Sequence, residues 1–144
     1  SRPRFTPMDN GVIFAWRGLN KNVAAGSEEM VALRLWKDEQ RLITTLHRNF
    51  TAIDTQVSAL MKGKGARSLG NLLVSLADSM VAEISNLIDE LEEKMSELEE
   101  QVLDQSNMTL RSTISGLRRQ VISIRRYIAP QKEALIRFST ERLE

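Results

Sequence analysis

Residues 117–135 read LRRQVISIRRYIAPQKEAL. Leu117, Val121, Ile124, Ile128 and Leu135 step by fours and threes, the spacing of one apolar stripe on an α-helix. Pro130 stands inside that stripe. Proline often ends a helix, because it lacks a backbone donor and its ring collides with the preceding turn. Here QKEALIRFSTERL resumes with helix formers, and the stripe continues to Phe138 with Gln131 as its one interruption. The spacing therefore predicts a single helix that carries on through Pro130 and bends there, where the Arg126 carbonyl loses its usual partner.

Working outward, the preceding segment has the same rhythm. Leu73, Ala77, Met80, Ile84, Leu87, Leu91 and Leu98 form one stripe, with Lys94 in the interrupted place. A second stripe runs Val74, Val81, Ile88, Met95 and Val102. Together they predict a helix over about 69–105, with QSNMT (105–109) as the turn into the next one. Helices of some 35 residues are roughly 50–55 Å long at ~1.5 Å per residue. A compact chain of this size would have a radius of gyration of only about 15 Å. The expected architecture is thus an elongated antiparallel helical hairpin.

The first 48 residues change period from near four to two. GVIFAWRGLN (11–20) puts Val12, Phe14 and Trp16 on one face of a strand. MVALRLW (30–36) and RLITTLHR (41–48) alternate likewise around the polar link KDEQ (37–40), a hairpin pattern. NKNVAAGS (20–27) reads as a loop, and SRPRFT (1–6) as a short edge strand, since Pro3 disfavours a central one. Three or four such strands leave an apolar face that needs a helix layer or further strands. A missing N-terminal part of a larger domain is the expected cover. FTAIDTQVSALM (50–61) predicts a short helix capped by Thr51 or Asn49, with Phe50, Ile53, Val57 and Leu60 on one side. KGKGARS (62–68) breaks it, and Ser68 is the next N-cap candidate. The fold class is α+β, divided as 1–67 (strands and short helix), 68–109 (long helix and turn) and 110–144 (final helix). The C-terminal ALIRFSTERLE carries no helix stop, so the chain is expected to be a fragment cut inside a continuing helix.

Composition narrows the chemistry. The 144 residues include no cysteine and one histidine, His47, which excludes disulfides, thiolate metal sites and multi-histidine sites within one chain. His47, Trp16 and Trp36 read as structural residues. No apolar run approaches the ~18–20 residues of a membrane span, and no signal peptide is visible. KGKG lacks the rest of a phosphate-binding loop, and no nucleophile stands beside a histidine, so an enzyme is not expected. No cofactor is expected either.

The formal net charge of +1 hides a segregation. Between 83 and 104, nine carboxylates face Lys94 alone, a balance of −8. Between 111 and 137, seven cations face Glu133 alone, a balance of +6. Arg111, Arg118, Arg125 and Lys132 recur every seven residues, flanked by Arg119 and Arg126. This reads as a ridge that either lies against the acidic helix and sets the register of the hairpin, or meets other subunits or anions. Exposed ion pairs contribute only ~0.2–1 kcal/mol each, so their effect is choice of partner and direction. An arginine ridge can also track phosphates, but the acidic block beside it opposes a nucleic-acid partner. Asp89, Glu93 and Glu97 share a helix face that could bring oxygen ligands together, although charge runs of this kind are usually solvated. A soluble coiled-coil interaction module explains the heptads but not the strands.

RRQVISIRRYIAPQKEAL (118–135) resembles the stalk-helix signature of the CorA superfamily of divalent-cation transporters, and RRYIAPQ resembles its zinc transporter B (ZntB) branch. The strands, the long acidic helix and the arginine/proline helix follow that family's pattern through the whole chain. The resemblance implies a homopentamer with a funnel on the cytoplasmic side of the inner membrane. It also implies a last helix acting as a stalk toward membrane helices and a Gly-x-Asn loop that are absent here. The transported ion it implies is zinc or magnesium. Arg118, Arg119, Arg125 and Arg126 are then expected at inter-helix or anion contacts and Pro130 at a helix kink, with no metal ligand among the residues of this chain.

Overall fold

The computed structural model describes residues 2–20, 29–46, 50–104 and 108–140. Four strands, β1 (Arg4–Met8), β2 (Gly11–Asn20), β3 (Glu29–Lys37) and β4 (Leu42–Thr45), pair antiparallel in sequence order. Three helices follow: α1 (Thr51–Met61), α2 (Leu69–Asp104) and α3 (Met108–Thr140). The α+β class, the strands and the two long helices match the sequence expectation. His47, Asn49, the 21–27 part of the expected loop and residues 105–107 of the expected turn lie outside the described residues.

Period-two alternation builds the sheet. Phe14 pairs with Phe5 on one side and Leu35 on the other, and Trp16 pairs with Leu33. All five side chains are buried on one face. β1 is an edge strand, a place that suits Pro7 within it because proline has no N–H for a further ladder, and it turns into β2 through Asp9–Asn10, a two-residue hairpin loop. The link from β3 to β4 is tied by Asp38: its Oδ1 accepts from the backbone N–H of Gln40 (2.9 Å) and Arg41 (2.6 Å), and its Oδ2 from Arg41 Nη2 (2.8 Å). Arg41 also lies 5.6 Å from the ring centre of Trp36.

The apolar face is covered by this chain's own helices rather than by an absent segment, which corrects the expected cover. Leu73, Leu76, Ala77 and Met80 of α2 and Ala134 of α3 join Phe5, Phe14, Trp16, Leu33 and Leu35 in one core. Phe138 packs edge-on to Phe14 at 5.4 Å and to Trp16 at 6.1 Å. A second cluster joins Leu19 to Leu87, Leu91 and Ile124. Early α2 meets late α3 and the middle of α2 meets the middle of α3, so the two helices run antiparallel.

The start of α1 departs from expectation. Its N-cap is Phe50, without a side-chain cap bond, and Thr51 is the first helical residue. Phe50 is drawn out of the helix pattern because its ring is fully buried above Gly18, while Val57 and Leu60 remain exposed. The helix ends as its glycines suggest. Lys64 N–H donates to the Ala59 carbonyl (2.9 Å), Gly63 N–H donates to that of Leu60 (3.0 Å), and Gly63 takes φ +68°. Ser68 does cap α2, its Oγ accepting from Asn71 N–H at 3.1 Å.

Two outcomes follow from this packing. A Cβ at Gly18 would sit 2.0 Å from Phe50 Cζ, inside a ring that has no open space to retreat into. Gly18→Ala is expected to lower unfolding stability by about 1–3 kcal/mol, read by chemical denaturation. At Asp38, desolvation pushes the carboxyl up, but hydrogen bonds from Gln40 and Arg41 outweigh it and hold its pKa below the ordinary carboxylate value. Such a group stabilises the fold when ionised. Its contribution is complete above the unfolded-state pKa and is lost as pH falls through the folded one. An NMR titration of Asp38 is expected to move upward in Arg41→Ala.

Candidate functional site

One face of α3 grips β2 along its length. Ile124 meets Leu19, Tyr127 lies under the Arg17 guanidinium (4.7 Å to the ring centre), and Ala134 and Phe138 meet the aromatic wall. Between them sits Gln131, the interruption in the apolar stripe. It is 6 % exposed and the one buried polar side chain among the described residues. Its Oε1 accepts from Arg17 N–H at 2.7 Å, and its Nε2 donates to the Arg17 carbonyl at 2.7 Å. Arg17 Nη1 in turn donates to the Met30 carbonyl at 2.9 Å. The stripe alone marked Gln131 as a defect. Its signal was that a polar residue stood where an apolar one belonged, beside the proline.

α3 is a continuous helix through Pro130, as the spacing predicted. Because residues 124, 127, 131, 134 and 138 face the sheet, the arginines fall on the outer side. Arg118, Arg119, Arg125 and Arg126 are all exposed. They do not form one ridge. At about 100° per residue, neighbours on a helix diverge, so Arg118 and Arg125 stand on the α2 side beside Val121 and Ile128, while Arg119 and Arg126 stand on the far side. Arg119 Nε donates to the Ser115 carbonyl at 3.3 Å. Among the described residues, none of the four makes an ion pair with α2; apolar contacts hold the two helices together instead.

The α2 side carries an open apolar groove. Its upper part, about 530 Å³, is lined by Val81, Ile84, Ile88, Ile128, Leu135 and Ile136 among others. A lower part of about 560 Å³ shares Ile88 and Ile128 with it and adds Met95, Val121, Glu92, Glu99 and Arg125. The second apolar stripe of α2 therefore lines a surface, and Val81 is 50 % exposed. Asp89, Glu93 and Glu97 are exposed, and no group of three or more ligand-type side chains comes together among the described residues. One correction concerns membrane spans: α2 is long and apolar enough to cross a membrane by length and composition. Its Leu73, Leu76 and Met80 are buried against the sheet, while Val74 and Val81 on its other stripe are exposed.

This architecture can be placed among known proteins. The family described as CorA-like Mg2+ transporter protein matches residues 1–144. The chain belongs to this family. The zinc transport protein ZntB of Pectobacterium atrosepticum is 35 % identical over 74 residues, which is 51 % of this chain and 23 % of that protein. The solved cytoplasmic domain of ZntB from Vibrio parahaemolyticus is 30 % identical with a TM-score of 0.82, covering 98 % of this chain and 57 % of that one. Full-length CmaX is 26 % identical with a TM-score of 0.89, covering all of this chain and 45 % of CmaX. The chain thus spans about half the length of these two solved chains and about a quarter of the ZntB relative. Within this family its similarity extends to the ZntB cytoplasmic domain.

Restoring a backbone donor at the centre of α3 tests how that helix is built. Pro130→Ala is expected to raise the thermal midpoint and to increase amide protection around residues 126–130, read by hydrogen exchange, because the Arg126 carbonyl regains its partner.

Proposed function

We propose that this chain is the funnel-and-stalk part of a membrane transporter for a divalent cation, zinc or magnesium, on the cytoplasmic side of the inner membrane. In this reading residues 1–67 belong to the funnel, 68–109 form the acidic arm and 110–144 the stalk. The observation that carries it is the geometry of α3: a 33-residue helix docked on its sheet by one face, with its arginines outside. A helix so built is suited to packing with copies of itself. The chain does not transport by itself; permeation belongs to membrane helices beyond it. Zinc is the first ion to test, because the relative that is 35 % identical bears that name.

The partners are copies of the same chain, five in the full-length protein. The apolar groove between α2 and α3 gives each copy a surface to bury, and the opposite blocks of charge give the contact a direction. Coulomb's law sets a condition. Arginines facing a central path would repel the cation, so Arg118, Arg119, Arg125 and Arg126 meet carboxylates of a neighbouring hairpin or bound anions, and Pro130 bends the stalk.

Two measurements test this. Proteoliposomes holding the full-length transporter are expected to take up zinc or magnesium above empty vesicles; no flux of either ion overturns the transport reading. Arg125→Glu with Arg126→Glu is expected to lower the sedimentation coefficient of the assembly, and unchanged sedimentation overturns the proposed contacts.

A further inference from the structure

The side of α3 turned away from the sheet forms a low ridge. Ile122 is 66 % exposed there, with Arg119 and Arg126 flanking it. Ser115 and Ala129, one heptad before and after Ile122, are exposed on the same line. The groove between α2 and α3 is the counterpart in shape and in charge. Its lower part, about 560 Å³, is lined by Met95, Val121 and Ile128, with Glu92 and Glu99 exposed along its α2 wall. Arg125 stands on the α3 wall and makes no ion pair with either carboxylate among the described residues. Glu92 and Glu99 are seven residues apart, as are Arg119 and Arg126, so each pair spans about 10.5 Å of helix. The two helices run antiparallel, with Ile88 and Ile128 lining the groove alongside Met95 and Val121, one heptad away on each helix. Copies related by rotation about an axis along α3 stand at one height. At that height Arg126 of one copy comes beside Glu92 of the next, and Arg119 beside Glu99.

Charge selects among the ways in which two copies can meet. Ridge against ridge around Ile122 brings Arg119 and Arg126 onto cations, and groove against groove brings Glu92 and Glu99 onto carboxylates. Ridge in groove sets unlike charges together and buries Ile122 against Met95 and Val121. We infer that the Ile122 ridge of one copy lies in the α2–α3 groove of the next, with Arg126 on Glu92 and Arg119 on Glu99. Ridge and groove are different surfaces, so the contact is heterologous and repeats by rotation into a ring. It rests on the self-packing reading above and names the surfaces and the register that such packing uses.

Charge reversal and cross-linking in the full-length transporter test the contact. Arg119→Glu with Arg126→Glu is expected to shift sedimentation to smaller species. Adding Glu92→Arg with Glu99→Arg is expected to restore the wild-type sedimentation coefficient, which a general loss of fold would not do. Full assembly by the Arg119→Glu, Arg126→Glu variant overturns the contact. The 144 residues contain no cysteine, so disulfide trapping is direct once any cysteine elsewhere is replaced by serine. Ile122→Cys in one copy and Met95→Cys in a co-expressed copy with a different tag are expected to join the two tags under mild oxidation. This cross-link decides should the charge variants fail to fold. No bond between the tags, or a bond between two Ile122→Cys copies, overturns the contact. A wild type that sediments as a monomer removes the self-packing reading and this contact with it. A wild-type oligomer without the cross-link removes this contact alone.

Discussion

A small antiparallel sheet with one apolar face cannot stand alone, and covering that face governs everything else in this molecule. Phe5, Phe14, Trp16, Leu33 and Leu35 present an aromatic and aliphatic wall, and α2 and α3 are laid across it. Each buried large side chain contributes about 1.5–3 kcal/mol relative to exposure, far more than any surface ion pair. The docking of the wall therefore sets the rotation of both helices. Once Ala134 and Phe138 are committed to it, the remaining positions of α3 have no choice of direction.

That rotation explains why the charges lie where they do. The opposed acidic and basic blocks suggest a helix pair zipped by ion pairs. The apolar contacts turn α3 so that Arg118, Arg119, Arg125 and Arg126 flank the groove or face away, and none of these four makes an ion pair with α2 among the described residues. Charge is then available for contacts outside the chain, and an apolar groove is left open beside it. Both features are what the proposed packing against copies of the same chain would use.

The same constraint converts a flaw into a fastening. Gln131 interrupts the apolar stripe at a position that faces the edge of β2 rather than the apolar wall. A side chain with one donor and one acceptor suits the edge of β2 where β1 has ended, and an apolar residue would leave two buried peptide groups unsatisfied.

Much was legible in the residues themselves. The period of two in 11–20 and 30–36 placed β2 and β3, the fours and threes of 69–138 placed both long helices, and helix formers after Pro130 announced its continuation. These are local properties, set by backbone geometry and by the spacing of apolar side chains. Phe50 was misread as part of the α1 face because its burial depends on Gly18, thirty-two positions earlier in the chain. The arginines were read as one ridge because heptad spacing says which residues align, not which way the helix is turned. Local period determined the elements. Only the tertiary structure decided which face of each was inward, because that depends on contacts between residues far apart in sequence.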